Sequence, residues 1–410
     1  MHVGAVPWSR RRFLRSAALA VGASSLGAAI AACSPRAEGP AGALPLHDDL
    51  LIDPEAPIER GGVLRIYEWR DYLDYGVVRG FVRRHVGDDI DVRIDSFTSM
   101  PEAVETLQSG APYDVVFPTI AALPGLVSER LLRPLVHDAL PHLDTLWPFF
   151  LHQEGPFYDV GQRYTVPYTV YSTGIGWRTD LVDRARAPDR LETPYDTFWD
   201  PQHEAEVGVI DDVQEAIAMA LLRRGVDPNA AEAADVEAAV DDLVAMTSLV
   251  DVEISGDGAY AELQTGEYAI QQSWSGDVMA AKRFGPGTAD TLAHTGYVWP
   301  RGGVVGCDLT AVCANGRNPV LAHRFIDHLL EEEVALENFA WNGYQPPVGM
   351  AVPSMFADPG FPWRSLVPEH LRGALLEPDD LDAGVFLQPL ALDEEAVWRA
   401  GWERFRDAVR

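Results

Sequence analysis

The chain has 410 residues, of which 47% are hydrophobic and 23% charged, a composition that excludes a wholly disordered or fibrous protein and leaves room for two domains. It carries 62 acidic against 32 basic residues, and its net charge is −30. Nucleic-acid phosphates would be repelled by this charge, whereas cationic ligands would be attracted. We therefore expect a globular protein that does not bind nucleic acid.

The first residues have the parts of an export signal. Arginines at 10–12 precede a short run of small and apolar residues that ends in Ile30–Cys33. The run is shorter and less apolar than the roughly 20 residues that span a bilayer, which disfavours a membrane-spanning helix. The arginines resemble a twin-arginine signal and IAAC resembles a bacterial lipobox. We predict a signal peptide over 1–32, lipidation of Cys33, and a flexible tether over 33–61.

The next part of the chain alternates strand and helix patterns. Strand patterns at 64–67, 90–94 and 113–117 are separated by helical patterns at 77–86 and 101–108. This order predicts a parallel sheet covered by helices.

The first strand pattern is followed at once by charges and aromatics, Glu68 to Tyr72. Ligands bind beyond the carboxyl ends of strands in such sheets, so this stretch predicts a site for a cation with an apolar body. The alternative is an ordinary solvated loop whose Trp covers the edge of the core.

A second α/β region follows. It opens near 164–168 and continues through 173–177, its strand patterns lie at 207–210 and 267–272, and strand character returns at 308–312. Its helical patterns lie at 216–224, 232–249, 318–332 and 393–409. We interpret Ser273–Asp277 as a polar turn before a helix, and Tyr297–Gly303 as a crossing between lobes. Gly174 and Gly176 do not complete a nucleotide-binding fingerprint, so no cofactor is expected.

Cys307 and Cys313 fall in one strand pattern. Six residues of strand separate them by about 20 Å, whereas a disulfide requires Cα atoms less than about 7 Å apart. We predict that both are unpaired and buried. No Cys or His spacing typical of a metal site is present, so no metal is expected, and we interpret His323 and His328 as surface or packing residues.

Seven segments resemble bacterial polyamine-binding proteins, the spermidine and putrescine receptors of ABC importers. They occur in the family's order over about residues 62–410: YEWRDY, YDVVFPT, YTVPYTVYSTGIG, IDDVQEAIAMAL, QQSWSG, CDLTAV and NGYQPP. The resemblance implies an α/β fold of the two-lobe periplasmic-binding-protein-like type II, with a hinge between the lobes. It assigns 62–167 and 304–346 to lobe 1, and 168–303 and 347–410 to lobe 2.

The resemblance also implies a set of ligand-binding residues. They are Trp69, Asp71, Tyr72, Asp212, Glu215, Trp274, Asp308, Tyr344 and Gln388. A polyamine carries ammonium groups on a methylene chain, so carboxylates suit its charges and aromatic faces suit its chain.

Four of these residues also have a possible structural role. Asp212 and Glu215 also have the spacing of a helix capping box, and Trp274 also suits simple packing. Asp308 interrupts an apolar strand, where a charge without a partner is costly, and this favours a functional role.

The chain departs from the family's pattern at three places. Aromatics expected after Pro118-Thr119 and two residues before Asp308 are replaced by Ile120-Ala121 and by Gly306, and Arg70 replaces a small polar residue. A guanidinium at 70 would repel an ammonium group. A zwitterionic or amino-acid-like amine such as 4-aminobutyrate is therefore an alternative ligand.

Two further alternatives belong to other functional classes. An exported hydrolase would use two of the carboxylates, but no nucleophile elbow, metal cluster or cofactor loop accompanies them. An anion receptor of the same fold would need basic clusters where this chain has acids. We predict instead a monomeric, lipid-anchored receptor, outside the cell membrane or in the periplasm, that delivers putrescine or spermidine to an ABC permease. No catalytic residue is predicted.

Overall fold

The computed structural model describes residues 44–86, 90–152, 159–203, 205–255, 262–285 and 292–409. The predicted signal peptide, Cys33 and the first part of the predicted tether lie outside these ranges. Residues 44–61 contain a short 3-10 turn and are held against the sheet domain, for example by the Tyr164 hydroxyl, which donates to the Pro45 carbonyl at 2.7 Å. Within the described ranges, no helix is long and apolar enough to cross a membrane.

The strands of the described residues form one mixed sheet of ten strands. They are β1 (Val63–Trp69), β2 (Asp91–Phe97), β3 (Val115–Val116), β4 (Leu132–Arg133), β5 (Thr165–Arg178), β6 (Glu206–Ile210), β7 (Val252–Ser255), β8 (Tyr268–Trp274), β9 (Thr295–Val298) and β10 (Val305–Cys313). Their order is β2-β1-β3-β10-β5-β8-β6-β7, with β4 beside β10 and β9 beside β5. β1 is parallel to β2 and to β3, as the alternation of strands and helices predicts.

The α-helices connect these strands. They are α1 (Tyr75–Phe81), α2 (Met100–Gln108), α3 (Leu123–Ser128), α4 (Pro148–His152), α5 (Val213–Arg223), α6 (Ala233–Met246), α7 (Glu262–Thr265), α8 (Ser275–Phe284), α9 (Pro319–Leu330), α10 (Glu332–Asn342), α11 (Pro353–Ala357), α12 (Pro378–Ala383) and α13 (Leu392–Ala408). α1 continues into a π-helical turn over Val82–Val86. Polar caps fix several helix starts, since Asp74 accepts from the Gly76 amide and Ser99 from the Glu102 amide.

β5 joins the two halves of the sheet. Its first part, 165–172, pairs with β10, and its second part, 173–178, pairs with β8 and β9. The segments at 164–168 and 173–177, with which the sequence opens the second region, belong to this one strand, which begins at Thr165 and is continuous over 14 residues. The intervening residues 169–172 also belong to the strand because they pair with β10, which is distant in sequence.

Each half of the sheet has its own apolar core. Leu64 and Ile66 of β1 face a core with Phe81 of α1, whereas Tyr67, one residue on, faces a second core on the opposite side of the sheet. In the other half, β6 and α13 share a third core, as Val209 and Phe405 illustrate. A sheet with separate cores at its two ends, joined by one long strand, agrees with the predicted two-lobe α/β fold. The boundaries assigned to the lobes stay a prediction.

The predicted cysteine state is confirmed and one predicted turn is wrong. Cys307 and Cys313 are free, buried, and in the same core. The chain passes from β8 directly into α8, so 273–277 is not a turn. β8 is longer than predicted because Ser273 and Trp274 pair with Gly174 and Thr173 of β5. The predicted crossing at 297–303 begins with the last residues of β9, which also pair with β5.

Candidate functional site

Asp308 lies on β10 at a bulge in its pairing with β5, and its side chain is buried with 7% exposure. The Tyr72 hydroxyl donates to Oδ2 of Asp308 at 2.6 Å and lies 2.6 Å from the Thr169 hydroxyl. Oδ1 of Asp308 is buried and has no hydrogen-bond partner among the described residues. Burial raises the pKa of Asp308 to about 6, although the bond from Tyr72 lowers it. We call Asp308, Tyr72 and Thr169 the Asp308 end of the site.

Glu215 lies in the first turn of α5 and is also buried with 7% exposure. Its Oε1 accepts from the Thr173 hydroxyl at 3.0 Å and from the Trp274 indole nitrogen at 3.2 Å. Its Oε2 is buried and, within the described part of the chain, unpartnered. Burial and then the charge of Asp212 raise the pKa of Glu215 to about 7.

Asp212 is the N-cap of α5. Its Oδ1 accepts from the Gln214 amide at 2.9 Å and from the Glu215 amide at 3.0 Å. The alternative role of Asp212 as a helix cap is thus observed, and its predicted ligand role stays a prediction. Glu215 makes no reciprocal bond to the Asp212 amide, which donates to Ile210 instead. The side chain of Asp212 is solvent-exposed, but desolvation by the surrounding protein raises the pKa of its carboxyl group. We call Glu215, Asp212, Thr173 and Trp274 the Glu215 end.

β5 fixes the distance between the two ends. Thr169 of β5 belongs to the Asp308 end and Thr173 of β5 to the Glu215 end. Both side chains point to the same face of the sheet, because side chains alternate along a strand. Four residues of strand separate their Cα atoms by about 13 Å. Tyr171 lies midway on the same face, and it is the only residue of β5 that is not fully buried.

Tyrosine rings lie between the two acids. Tyr344 packs edge-on against Tyr72, with ring centroids 5.5 Å apart, and against Tyr171 at 5.9 Å. Its hydroxyl donates to Asp277 at 2.7 Å, and its ring lies directly on Gly276, where a Cβ would come within 2.3 Å of it. The predicted residues Tyr72, Glu215, Trp274, Asp308 and Tyr344 are therefore brought together around β5.

The remaining predicted residues have looser connections to this group. Trp69 is half-buried, packs edge-on against Phe97 at 4.5 Å, and has a buried indole nitrogen without a partner in the described ranges. Asp71 is exposed, and its left-handed backbone, with φ of 61°, turns the chain before Tyr72 enters the core. Gln388 is exposed, and its carbonyl accepts from the Gln214 side chain at 2.9 Å, beside the start of α5. Their ligand roles stay predictions.

Two further residues of this region were not among the predicted ligand residues: Tyr171 was missed, and Glu68 was noted only as part of the charged stretch from Glu68 to Tyr72. Tyr171 is half-buried, and burial followed by the charges of Asp308 and Glu215 raises its pKa, which shows that both acids lie near it. Glu68 is 3% exposed, and its Oε2 is buried with no partner in the part of the chain that the structure describes. Burial also raises the pKa of Glu68. One feature of the sequence bears on Tyr171, namely the Gly306 that replaces an aromatic of the family pattern. Connecting Gly306 with Tyr171 requires the register between β5 and β10.

The charge of Arg70 is not among the causes that shift the pKa of the acids at either end. It is exposed, and its charge contributes, after hydrogen bonds from Thr98, to the lowered pKa of Glu102 at the start of α2. Asp308, Glu215 and Asp212 owe the shifts in their pKa to burial, to hydrogen bonds and to neighbouring acids.

Elsewhere in the described part of the chain, two groups of side chains have ligand atoms close enough together to hold a metal ion. One is His85, His328 and Glu331, and the other is Glu206, Glu253 and Glu267, with atoms within 4.8 Å of one another in each group. Arg84 already forms an ion pair with Glu331. His323 and His328 are 0% and 1% exposed, so both are packing residues rather than surface residues.

Comparisons with known proteins bear on the family and the fold of the chain. Residues 79–362 match the model of a family described as bacterial extracellular solute-binding protein. Spermidine/putrescine-binding periplasmic protein 1 of Haemophilus influenzae is 27% identical over 66% of this chain and 71% of its own length. The putrescine/cadaverine-binding protein of Pseudomonas aeruginosa is 26% identical over 77% of this chain and 87% of its own.

Solved structures share the fold. The crystal structure of the spermidine/putrescine ABC transporter substrate-binding protein PotD from Streptococcus pneumoniae has a TM-score of 0.68 and 21% identity, and the match covers 85% of this chain and 100% of that one. A putative spermidine/putrescine ABC transporter from Listeria monocytogenes has a TM-score of 0.67 and 23% identity, covering 84% of this chain and 98% of its own. The predicted two-lobe type II α/β fold is confirmed.

Proposed function

We propose, because this chain belongs to the bacterial extracellular solute-binding proteins, that it captures a polyamine between the Asp308 end and the Glu215 end and delivers it to an ABC permease. The family is one of transport proteins and not a class of enzymes. One observation carries the proposal: two buried carboxylates each have an oxygen with no partner among the residues that the structure describes, and tyrosine rings lie between them.

The electrostatics of the two ends favour a ligand with separated positive charges. A buried carboxylate that lacks a partner is costly, and a cation that donates hydrogen bonds to it removes that cost. An ammonium group brings three N–H donors, so it can bond to Oδ1 of Asp308 or to Oε2 of Glu215. The methylene chain between two ammonium groups would then lie against the faces of the tyrosine rings.

The spacing of the ends favours a triamine over a short diamine. The β5 residues that contact the two acids are about 13 Å apart. With bonds near 1.5 Å and angles near 111°, a four-carbon diamine spans about 6 Å between nitrogens, and spermidine spans about 11 Å. Putrescine can therefore bond to one end at a time, whereas spermidine can reach both.

A zwitterionic amine has less support from these contacts. Its carboxylate would need a cation beside the acids, and Arg70 was the residue predicted to supply it. The charge of Arg70 acts instead on Glu102. A plain polyamine needs no such cation, because each end already provides a carboxylate for an ammonium group.

The location and the chemistry of the chain complete the proposal. The curated relatives are periplasmic proteins, which supports export. We propose that residues 1–32 direct this export, that Cys33 then carries a lipid anchor, and that the receptor acts as a monomer without enzymatic activity. The acids of the site have a binding role, so no hydrolytic role needs to be assigned to them.

Thermal unfolding of the purified protein tests the ligand class. We expect spermidine to raise the unfolding temperature most, putrescine less, and potassium sulfate at matched ionic strength not at all. At a hundredfold excess over the dissociation constant, a ligand adds about 2.7 kcal/mol to the free energy of unfolding. If neither amine shifts the transition, the polyamine proposal is wrong.

4-Aminobutyrate and an Arg70→Gln variant separate the two ligand classes. A polyamine receptor should keep or improve its amine binding when this guanidinium is removed, because the repulsion is lost. A receptor for a zwitterion should respond more strongly to 4-aminobutyrate than to either amine, and should lose that response in Arg70→Gln.

A further inference from the structure

Gly306 and Tyr171 face each other across β10 and β5. They are direct partners in the antiparallel register. A Cβ added to Gly306 would lie 2.3 Å from Cζ of Tyr171 and 2.5 Å from its hydroxyl oxygen. Carbon atoms in contact are about 3.5 to 4.0 Å apart. The end of the tyrosine ring therefore occupies the place that any side chain at 306 would take.

The ring is also held at the centre of the proposed site. Tyr171 lies between Thr169 and Thr173 on one face of β5, and these threonines contact the two ends. Gly306 is two residues from Asp308, so it shares the face of β10 that carries the acid. Tyr344 supports the Tyr171 ring edge-on, with centroids 5.9 Å apart. A ligand that joins the two acids must pass this ring.

We propose that Tyr171 is the aromatic wall that contacts the middle of the bound amine, and that it selects ligands with a positive charge at that position. This inference rests on the proposed function. The space above Gly306, where the family pattern would have an aromatic on β10, is filled from β5 instead.

The chemistry of the ring explains the selectivity. The face of an aromatic ring is electronegative and attracts a cation that lies over it. Spermidine has an internal ammonium group between its two terminal ones. 1,8-Diaminooctane has the same number of bonds between its terminal nitrogens but only methylene groups between them, so it reaches both acids without a central charge.

Calorimetric titration of the wild type and of Tyr171→Leu with these two amines tests the proposal. We expect Tyr171→Leu to weaken spermidine binding about tenfold, as loss of one cation–π contact does. Binding of 1,8-diaminooctane should change about twofold or less. Tyr171→Phe keeps the ring and should keep the preference for spermidine.

An exchange of the two side chains provides a second test that also works without a ligand. Gly306→Tyr alone adds a ring where Tyr171 already lies, and overpacking of this kind should lower the unfolding temperature by about 2 to 4 °C or more. Tyr171→Gly combined with Gly306→Tyr leaves a single ring in the same space. This double variant should recover both the unfolding temperature and the preference for spermidine.

The outcomes separate this inference from the proposed function. If the wild type binds spermidine and Tyr171→Leu binds both amines with wild-type affinity, the role of Tyr171 is wrong and the polyamine function stands. If the wild type binds neither amine, both fall. Should Tyr171→Leu not fold, the double variant decides, and failure to recover spermidine preference in a folded double variant overturns the inference.

Discussion

The two ends of the site hold their acids in different ways. Asp308 accepts one hydrogen bond, from Tyr72, and has no other acid among the causes of its shifted pKa. Glu215 accepts two, from Thr173 and Trp274, and has the like charge of Asp212 beside it. The Asp308 end therefore has one isolated charge, and the Glu215 end has a coupled pair.

Because of this difference, the charges of the two ends should depend differently on pH. With a pKa of about 6, Asp308 is mostly ionised at neutral pH, whereas Glu215, with a pKa of about 7, is half protonated. The Asp308 end should therefore provide a constant charge, and the Glu215 end a charge that depends on pH.

The largest effect is expected from Asp308→Asn. Loss of the isolated charge removes a buried ammonium–carboxylate bond, and such losses cost about 2 to 5 kcal/mol, so spermidine binding should weaken about 100-fold. The ligand-free variant should be at least as stable as the wild type, because a buried charge without a partner has been removed. Calorimetric titration and thermal unfolding measure the two quantities.

Asp327→Asn is a matched control for that variant. Asp327 is also 7% exposed, but both of its carboxylate oxygens are engaged, by the His142 amide and ring. This variant should bind spermidine normally and lose stability. If Asp308→Asn binds within threefold of the wild type, the Asp308 end is not an ammonium site.

The pH dependence of binding should be the next largest effect. A cation binds the ionised forms of Glu215 and Asp308. From pH 6 to pH 7.5, spermidine affinity should therefore rise about eightfold through Glu215, with its pKa of about 7, and about a further twofold through Asp308, with its pKa of about 6, if both pKa values fall well below this range in the complex. Titration in two buffers with different ionisation enthalpies should show proton release on binding.

The stability of the ligand-free protein should change in the opposite sense. The pKa of Glu215 is raised above its ordinary value of 4.5, so its contribution to stability is full below pH 4.5 and is lost as the pH rises through about 7. Glu215→Gln should remove this part of the pH dependence of unfolding and should flatten the binding profile. An unchanged profile in Glu215→Gln would show that another group titrates.

Asp212→Asn should have the smallest effect. Asparagine caps a helix as well as aspartate does, so α5 should keep its stability. Loss of an exposed charge should weaken spermidine binding only about fivefold or less. Because the like charge raises the pKa of Glu215, its removal should shift the midpoint of the binding profile to lower pH. A profile with an unshifted midpoint would mean that the two acids are not coupled.

Local sequence pattern was sufficient for much of the fold. Strand and helix alternation predicted the parallel part of the sheet, and the cysteine spacing predicted two unpaired buried thiols. The resemblance to polyamine-binding proteins, and not a local pattern, implied ligand roles for Asp212 and Glu215. For Asp308 a local pattern contributed, because this residue interrupts an apolar strand. Such signals depend only on neighbours in the chain.

The features that were missed depend on pairing between distant segments. The continuity of β5 was not predicted, because it comes from pairing with β10 along its first part and with β8 and β9 along its second. Tyr171 was missed for the same reason, since its role depends on being opposite Gly306, and no local pattern contains that register.

The long central strand also has a consequence for how the chain folds. The hydrogen bond between Tyr72 and Asp308 joins residues 236 positions apart. β3 and the first part of β5 both pair with β10, which is synthesised long after them. During synthesis, the first half of the sheet must therefore keep unpaired strand edges until residue 313 has emerged. Contacts of such high order fold slowly, and the exposed edges are prone to aggregation. We expect any chain that ends before β10 to be insoluble.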